Sequence, residues 1–305
     1  MAKVKDSCRA ETGRVALKLE PLEQRMLLSG NVVVSVFHGD LLVKGDNAGN
    51  SIVLDQSGLA TGQIRVTSGA SVTTINGAAG PTVFSGVTKD VRFEMGGNDT
   101  VELNSVSVPR NLLFRDGKGT DTLTTDSSTI AGKMRIATKQ GELDYSDSAS
   151  TVDRNLTIAN RRGGSTVQLD STSVGRRLWI KEAKDTSADS ITLDGVHVDR
   201  RTHIHTGTAG DSVTVQDSSV FDKKFYLSTG LGDDVATLMS STFDGPLAVF
   251  MGGGNDTADV GVGGPITVKK HAVFDGGSGT DTIDIKTNGN TFDHGDDIDG
   301  FETVT

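Results

Sequence analysis

The sequence predicts an all-β protein, a right-handed parallel β-helix (solenoid) of about nine coils of ~22 residues with an irregular β N-terminal cap. Three observations predict it. The 305 residues hold 32 Asp against 8 Glu, together with 38 Gly, a composition suited to turns and poor for helices. Apolar triplets recur from VRF (91–93) through LLF, MRI, LTI, LWI, HIH, YLS and VFM to VFD (273–275), and their last inward apolar residues fall 21 to 24 positions apart. Those inward residues are read as Phe93, Phe114, Ile136, Ile158, Ile180, Ile204, Leu227, Phe250 and Phe274. Finally, most triplets precede a glycine-rich turn ending in Asp, as in GGNDT (96–100) and GKGTDT (117–122). A sandwich of meandering hairpins accounts for short strands but not for one constant period with the same turn chemistry.

The chain divides into residues 1–30, a targeting or capping segment; 31–89, an irregular β subdomain; and 90–305, the repeats. In the first segment, Leu19 to Leu28 reads as a short amphipathic helix with Pro21 in its first turn. The continuous apolar run of an ordinary signal peptide is missing. Leu22-Glu23-Gln24-Arg25-Met26-Leu27-Leu28-Ser29 resembles the Leu-Glu-x-Arg-x-Leu-Leu-Ser segment near the N-terminus of many large secreted or surface proteins of certain bacteria. That resemblance implies export, to the extracellular space or the cell surface. In the second segment, residues 40–56 read as one coil-like unit turning at Gly45 to Asn50. Residues 63–87 read as hairpins, with Ser68-Gly69 and Asn76-Gly77 as turn signals.

Within the repeats, a second strand such as VEL (101–103) or ITL (191–193) follows the glycine turn, and a polar corner leads to a third strand such as STSV (171–174). One coil cannot bury its apolar face alone, so stacking continues each strand into a parallel sheet. Residues 293–305 begin a further coil, whose edge either Phe292 and Phe301 cover or something else does.

Equivalent positions stack into columns, so chemistry is read by column. The glycine-turn column holds Asp99, Asp121, Asp189, Asp211, Asp233, Asp256 and Asp281, with Glu142 and Ser165 in the remaining two coils. Stacked carboxylates repel, so backbone N–H groups or a hard cation should neutralise them. Gly276 to Asp284 fits the nine-residue pattern G-G-x-G-x-D-x-U-x in full, and residues 116–124 miss it only at Asp116. The motif resembles that of the calcium-binding repeats-in-toxin (hemolysin-type) family of secreted bacterial β-roll proteins. The resemblance implies calcium as cofactor, with Asp99, Asp121, Asp211, Asp233, Asp256, Asp275, Asp281 and Asp284 as candidate ligands. The tandem array of that family is absent, because each motif occurs once per coil. The tail adds Asp293, Asp296, Asp297 and Asp299, which makes the C-terminal end the richest in oxygen ligands. The other reading of the column is Asp closing a glycine turn by side-chain to backbone bonding.

Two more columns are visible. Asp126, Asp147, Asp170, Asp194 and Asp217 mark the second corner and read as turn-closing residues. Arg154, Arg176-Arg177, Arg200-Arg201, Lys223-Lys224 and Lys269-Lys270 form a basic column interleaved with Asp153, Asp199 and Asp222. It reads either as a solvated edge neutralised by those Asp or as a stripe for an anionic polymer such as a cell-surface polysaccharide.

Exclusions narrow the function. A formal charge of −10 disfavours nucleic acid as partner, no run of 18 apolar residues offers a membrane span, and the single Cys8 excludes an internal disulfide. His-Glu-x-x-His, P-loop and Gly-x-Ser-x-Gly motifs are absent. His197, His203 and His205 lie on outward positions of adjacent strands, where a transition metal is conceivable. Trp179 and Tyr226 point outward, too few for a sugar-binding groove. The expectation is a non-enzymatic secreted or cell-surface solenoid of structural or adhesive character, meeting polysaccharide or other surface proteins. The alternative is a polysaccharide lyase or hydrolase using stacked carboxylates such as Asp189, Asp211 and Asp233.

Overall fold

The computed structural model describes residues 30–69, 73–182, 187–285 and 289–305. The segment Leu22 to Ser29 and the helix proposed for it lie outside the described residues. Among the described residues the strands form three sheets of thirteen, thirteen and nine strands, each running the length of one parallel solenoid. The first sheet runs from Thr74–Ile75 to Asp296–Asp299, the second from Thr82–Ser85 to Thr303–Val304, and the third from Ser107–Val108 to Thr291–Phe292.

Alternation explains why the strands pack as they do. In Val91–Met95, Leu112–Asp116 and Met134–Thr138 every second side chain is buried, and stacked coils place like on like. The central inward column is Phe93, Phe114, Ile136, Ile158, Ile180, Ile204, Leu227, Val249 and Phe274. This corrects one expected member. Val249, not Phe250, pairs with Leu227, and Phe250 pairs with the outward Ser228. A one-residue slip in a strand exchanges its faces, and the run Val249-Phe250-Met251 is apolar throughout, so hydropathy could not choose. Toward the C-terminal half the core is aromatic, with Phe221, Phe225 and Phe243 in mutual ring contact at centroid distances of 4.7 to 5.3 Å.

The N-terminal end is closed by antiparallel pairing. Asp40–Lys44 and Ser51–Asp55 add the expected coil-like unit to the first and second sheets, parallel to Val91–Met95 and Thr100–Asn104. Asn31–Phe37 folds back on Asp40–Lys44 around His38-Gly39, and Gln63–Ser68 and Thr82–Ser85 pair outward from Ser51–Asp55. Both residues of the expected Asn76-Gly77 turn have positive φ, 53° and 78°, as a two-residue hairpin turn requires. At the other end Phe292, Ile298, Phe301 and Val304 pack half-buried against the core. The outermost strand there carries exposed Asp296, Asp297 and Asp299, charges that discourage further pairing.

The glycine turns nest against one another. Gly97, Gly119, Gly141 and Gly163 hold φ between 106° and 124°, and a Cβ on Gly141 would lie 1.7 Å from the Gly119 carbonyl oxygen. A Cβ on Gly117 would come no closer than 3.7 Å to its neighbours. Gly141→Ala is therefore expected to cost roughly 2–4 kcal/mol in denaturant unfolding and Gly117→Ala about 1 or less. Equal losses would show that nesting does not govern the turn.

Candidate functional site: a carboxylate ladder inside and a cationic groove outside

At the corner between first and second strands the chain bends, and the backbone N–H there finds a side chain in the next coil. The Asn50 N–H donates to Asp99 Oδ1, Asp99 N–H to Asp121, and Ser165 N–H to Asp189. The series continues from Asp189 to Asp211, Asp234, Asp256, Asp281 and finally Glu302. All these bonds measure 2.6 to 3.0 Å. Asp is suited to the task because its short side chain reaches a neighbouring backbone without displacing its own strand.

Two expected members of the column are corrected by register. Asp234 takes the place expected for Asp233, because Val235 stands opposite Ser212 and Thr257. Asp233 is exposed and accepts the Asn255 N–H at 2.7 Å. Leu143 takes the place expected for Glu142, and the Asp121 N–H turns instead to the Glu142 carbonyl at 3.0 Å. Of the other candidate ligands, Asp275 and Asp284 lie at outward positions of the first and second sheets, while Asp281 belongs to the interior ladder.

The ladder uses one oxygen of each carboxylate. The second oxygens of Asp99, Asp121, Asp234, Asp256 and Asp281 are buried without a hydrogen-bond donor among the described residues. Burial raises the affinity of Asp99 and Asp256 for their protons and pushes Asp234 up to about 6, with the charges of neighbouring ladder members adding to it. Asp121 is pushed up to about 9, by burial first and then by the Asp116 carboxyl beside it. Asp90, at the opposite corner, is held well below the usual carboxylate range by its bonds to Arg110 and Arg92, which outweigh its burial.

The second corner also departs from expectation at two residues. Asp147 stands in register with Thr125 and Leu169, which are buried, and it points inward. There it accepts the hydroxyls of Thr125 and Thr172, while the corner column itself runs Asn104, Asp126, Ser148, Asp170, Asp194, Gln216. Asp217 follows that column by one residue, with φ of 52°.

The third corner carries the cations. Lys133, Arg154, Arg176, Arg177, Arg200, Arg201, Lys223 and Lys224 line one groove of about 1010 Å³. Among the described residues none of these eight forms a salt bridge. Of the Asp residues expected to neutralise them, Asp199 and Asp222 meet His197, at 3.7 and 3.1 Å. Of the expected basic column, Lys269 is paired, with Asp244 at 2.8 Å.

Beside the groove, on the outer face of the first sheet, rings stack coil upon coil. Trp179 meets His203 at 4.8 Å, His203 meets Tyr226 at 4.7 Å, and Tyr226 meets Phe250 at 5.4 Å. Lys224 Nζ lies 5.1 Å from the Tyr226 centroid. Burial and the charges of His205, Lys224 and Lys181 lower the proton affinity of His203, which favours the neutral ring within the stack. Arg177, Arg201 and Lys224 join this stack in a second hollow of about 350 Å³. Trp179 and Tyr226 do point outward as expected. Sequence reasoning missed that His203 and Phe250 join them; the constant coil period was the signal that could have found His203. His197 stands apart on the third sheet, so the three histidines do not converge.

These features define a parallel β-solenoid with a polar interior corner and a cationic, ring-lined exterior. No family model, curated protein or solved structure matches the chain. The likeness to hemolysin-type repeats accordingly rests on the motif itself.

One consequence of the ladder is measurable. A carboxylate whose folded proton affinity exceeds its unfolded one contributes most below about pH 4, and that contribution is lost as pH rises through about 6 for Asp234. Asp234→Asn keeps an acceptor for the Asp211 N–H and removes the charge. Its unfolding free energy is expected to fall less than the wild type's between about pH 4 and 6, by up to about 3 kcal/mol. Parallel pH profiles would show that Asp234 is not the group responsible.

Proposed function

We propose that the chain is a non-enzymatic secreted or cell-surface solenoid, structural or adhesive in character, whose third corner holds an extended acidic polysaccharide. The observation that carries this is the groove of eight unpaired cations on a chain of net charge −10. Here Asp199 and Asp222 lie in the same corner and are turned to His197. A stacked coil advances about 4.8 Å, so cations recur at a spacing that suits a polymer with one anionic group per sugar. Sugar rings also offer C–H faces to the exposed Trp179 and its stack, which a purely ionic surface would not need. Export is supported by the Leu22 to Ser29 segment and its likeness to secreted and surface proteins.

The alternative of a polysaccharide lyase or hydrolase is less well supported by the geometry. Asp189 and Asp211 are buried in the ladder and engaged with backbone, whereas Asp233 is exposed. The residues lining the groove include no carboxylate to serve as acid or base.

The test is a binding panel of polyuronate, sulfated glycan, neutral glucan and single-stranded DNA, with product analysis after long incubation. Polyuronate or sulfated glycan is expected to bind, with affinity falling steeply as salt rises, and neutral glucan not to bind. The triple variant Arg177→Glu, Arg201→Glu, Lys224→Glu should lose at least about tenfold, since several charge contacts go at once. Trp179→Ala should weaken polysaccharide more than DNA. DNA binding that matches polysaccharide and ignores Trp179 would replace the ligand class, and chain cleavage beyond one turnover would reinstate the enzyme.

A further inference from the structure

We infer that Asp99, Asp116 and Asp121 form an interior site for one calcium ion, held where the first two full coils meet. The site is independent of the groove and of what the groove binds. One carboxylate oxygen from each of the three lies within 4.8 Å of the others, and all three side chains are buried. They arrive from different directions. Asp99 and Asp121 come from successive glycine turns, each with one oxygen committed to the ladder and the other bare. Asp116 ends the strand Leu112–Asp116 and is 2 % exposed, and among the described residues no N–H or hydroxyl donates to either of its oxygens.

The remaining coils supply the comparison. In register with Asp116 stand Met95 before it and Thr138, then Asn160, after it. Farther along, Thr206, Thr229 and Met251 occupy the same inward column beside Asp211, Asp234 and Asp256. Those side chains are neutral, and the Thr hydroxyls and the Asn amide donate to oxygens around them. Between Asn160 and Thr206 the column holds one more carboxylate, Glu182, which accepts the Ser165 hydroxyl; among the described residues the column brings a third carboxylate within 4.8 Å of two ladder carboxylates at Asp116.

Three carboxylates at such range, away from water, repel strongly unless a proton or a cation intervenes. An all-oxygen, three-carboxylate set selects a hard divalent ion, and neither His nor thiolate is present to favour a transition metal. The turns beside these residues, with Gly96, Gly97, Gly117 and Gly119, line a surface cleft of about 890 Å³ whose rim also carries Lys118, Lys139, Arg161 and Arg162. Asp116 is also the residue at which residues 116–124 depart from the nine-residue glycine motif. The site therefore differs from one in which every glycine turn takes an ion.

The experiment is calcium titration of the chelator-stripped full chain at neutral pH, by calorimetry and by thermal melting. One equivalent of Ca²⁺ is expected to bind and raise the melting midpoint, and chelator should reverse the rise. Asp116→Asn should melt no lower than stripped wild type, because a like charge is gone, and should lose calcium affinity at least tenfold. Asp256→Asn, in a ladder position without a third carboxylate, should respond to calcium as wild type does. Should Asp116→Asn fail to fold, Asp116→Thr, with the side chain Thr138 places in the next coil, takes its place in the same assay. Absence of any calcium response in the wild type overturns the site. So does an undiminished response in the Asp116 variant, or an equal loss in Asp256→Asn, which would spread the ions over the turns.

Discussion

A backbone N–H buried at a bend has to be given an acceptor, and the whole solenoid is arranged around meeting that demand. Along a straight strand the carbonyl of the neighbouring coil suffices. At the glycine corner the N–H of one coil falls instead on the side chain of the next, and Asp99, Asp121, Asp189, Asp211, Asp234, Asp256 and Asp281 each supply it. At the second corner serine does the same work, as Val106 N–H bonds to Ser128 Oγ and Ser128 N–H to Ser150 Oγ. Glycine with positive φ is the complement of this device, since it lets successive turns approach closely enough for a short side chain to reach.

The cross-section is consequently uneven. Anionic groups are drawn inward at one corner, where they serve the backbone, and cations are left without partners at another. A chain of net charge −10 thereby presents a strongly positive face. The ring stack of Trp179, His203, Tyr226 and Phe250 occupies the outer face of the first sheet, whose inner face holds the apolar column, so each coil contributes to both core and exterior from adjacent residues.

Much of this was legible in the sequence, for a physical reason. Period and turn chemistry are properties of single residues at regular intervals, and stacking preserves them. The coil count, the strand order within a coil and five of the eight candidate ligands in the ladder followed from that. What escaped was decided by register alone. In GLGDD two aspartates compete for one column, and backbone pairing chooses Asp234; in VFM two apolar residues compete, and pairing chooses Val249. Asp147 was placed on the wrong face by the same one-residue ambiguity. Asp116 escaped differently, because its significance lies in convergence with Asp99 and Asp121 across two strands, which no column reading contains.

The ladder also runs one way. Each donor belongs to the earlier coil and each acceptor to the later one. The last rung described is Glu302 receiving the Asp281 N–H, where a longer side chain does what Asp does elsewhere. Stripping a coil from the C-terminal side therefore uncovers a backbone N–H donor, which exchanges a charged acceptor for water. Stripping one from the N-terminal side uncovers a carboxylate oxygen, which water or a cation solvates readily. The two directions of unravelling are chemically unlike, and the molecule has a grain, as a rope does, set by which neighbour each aspartate answers.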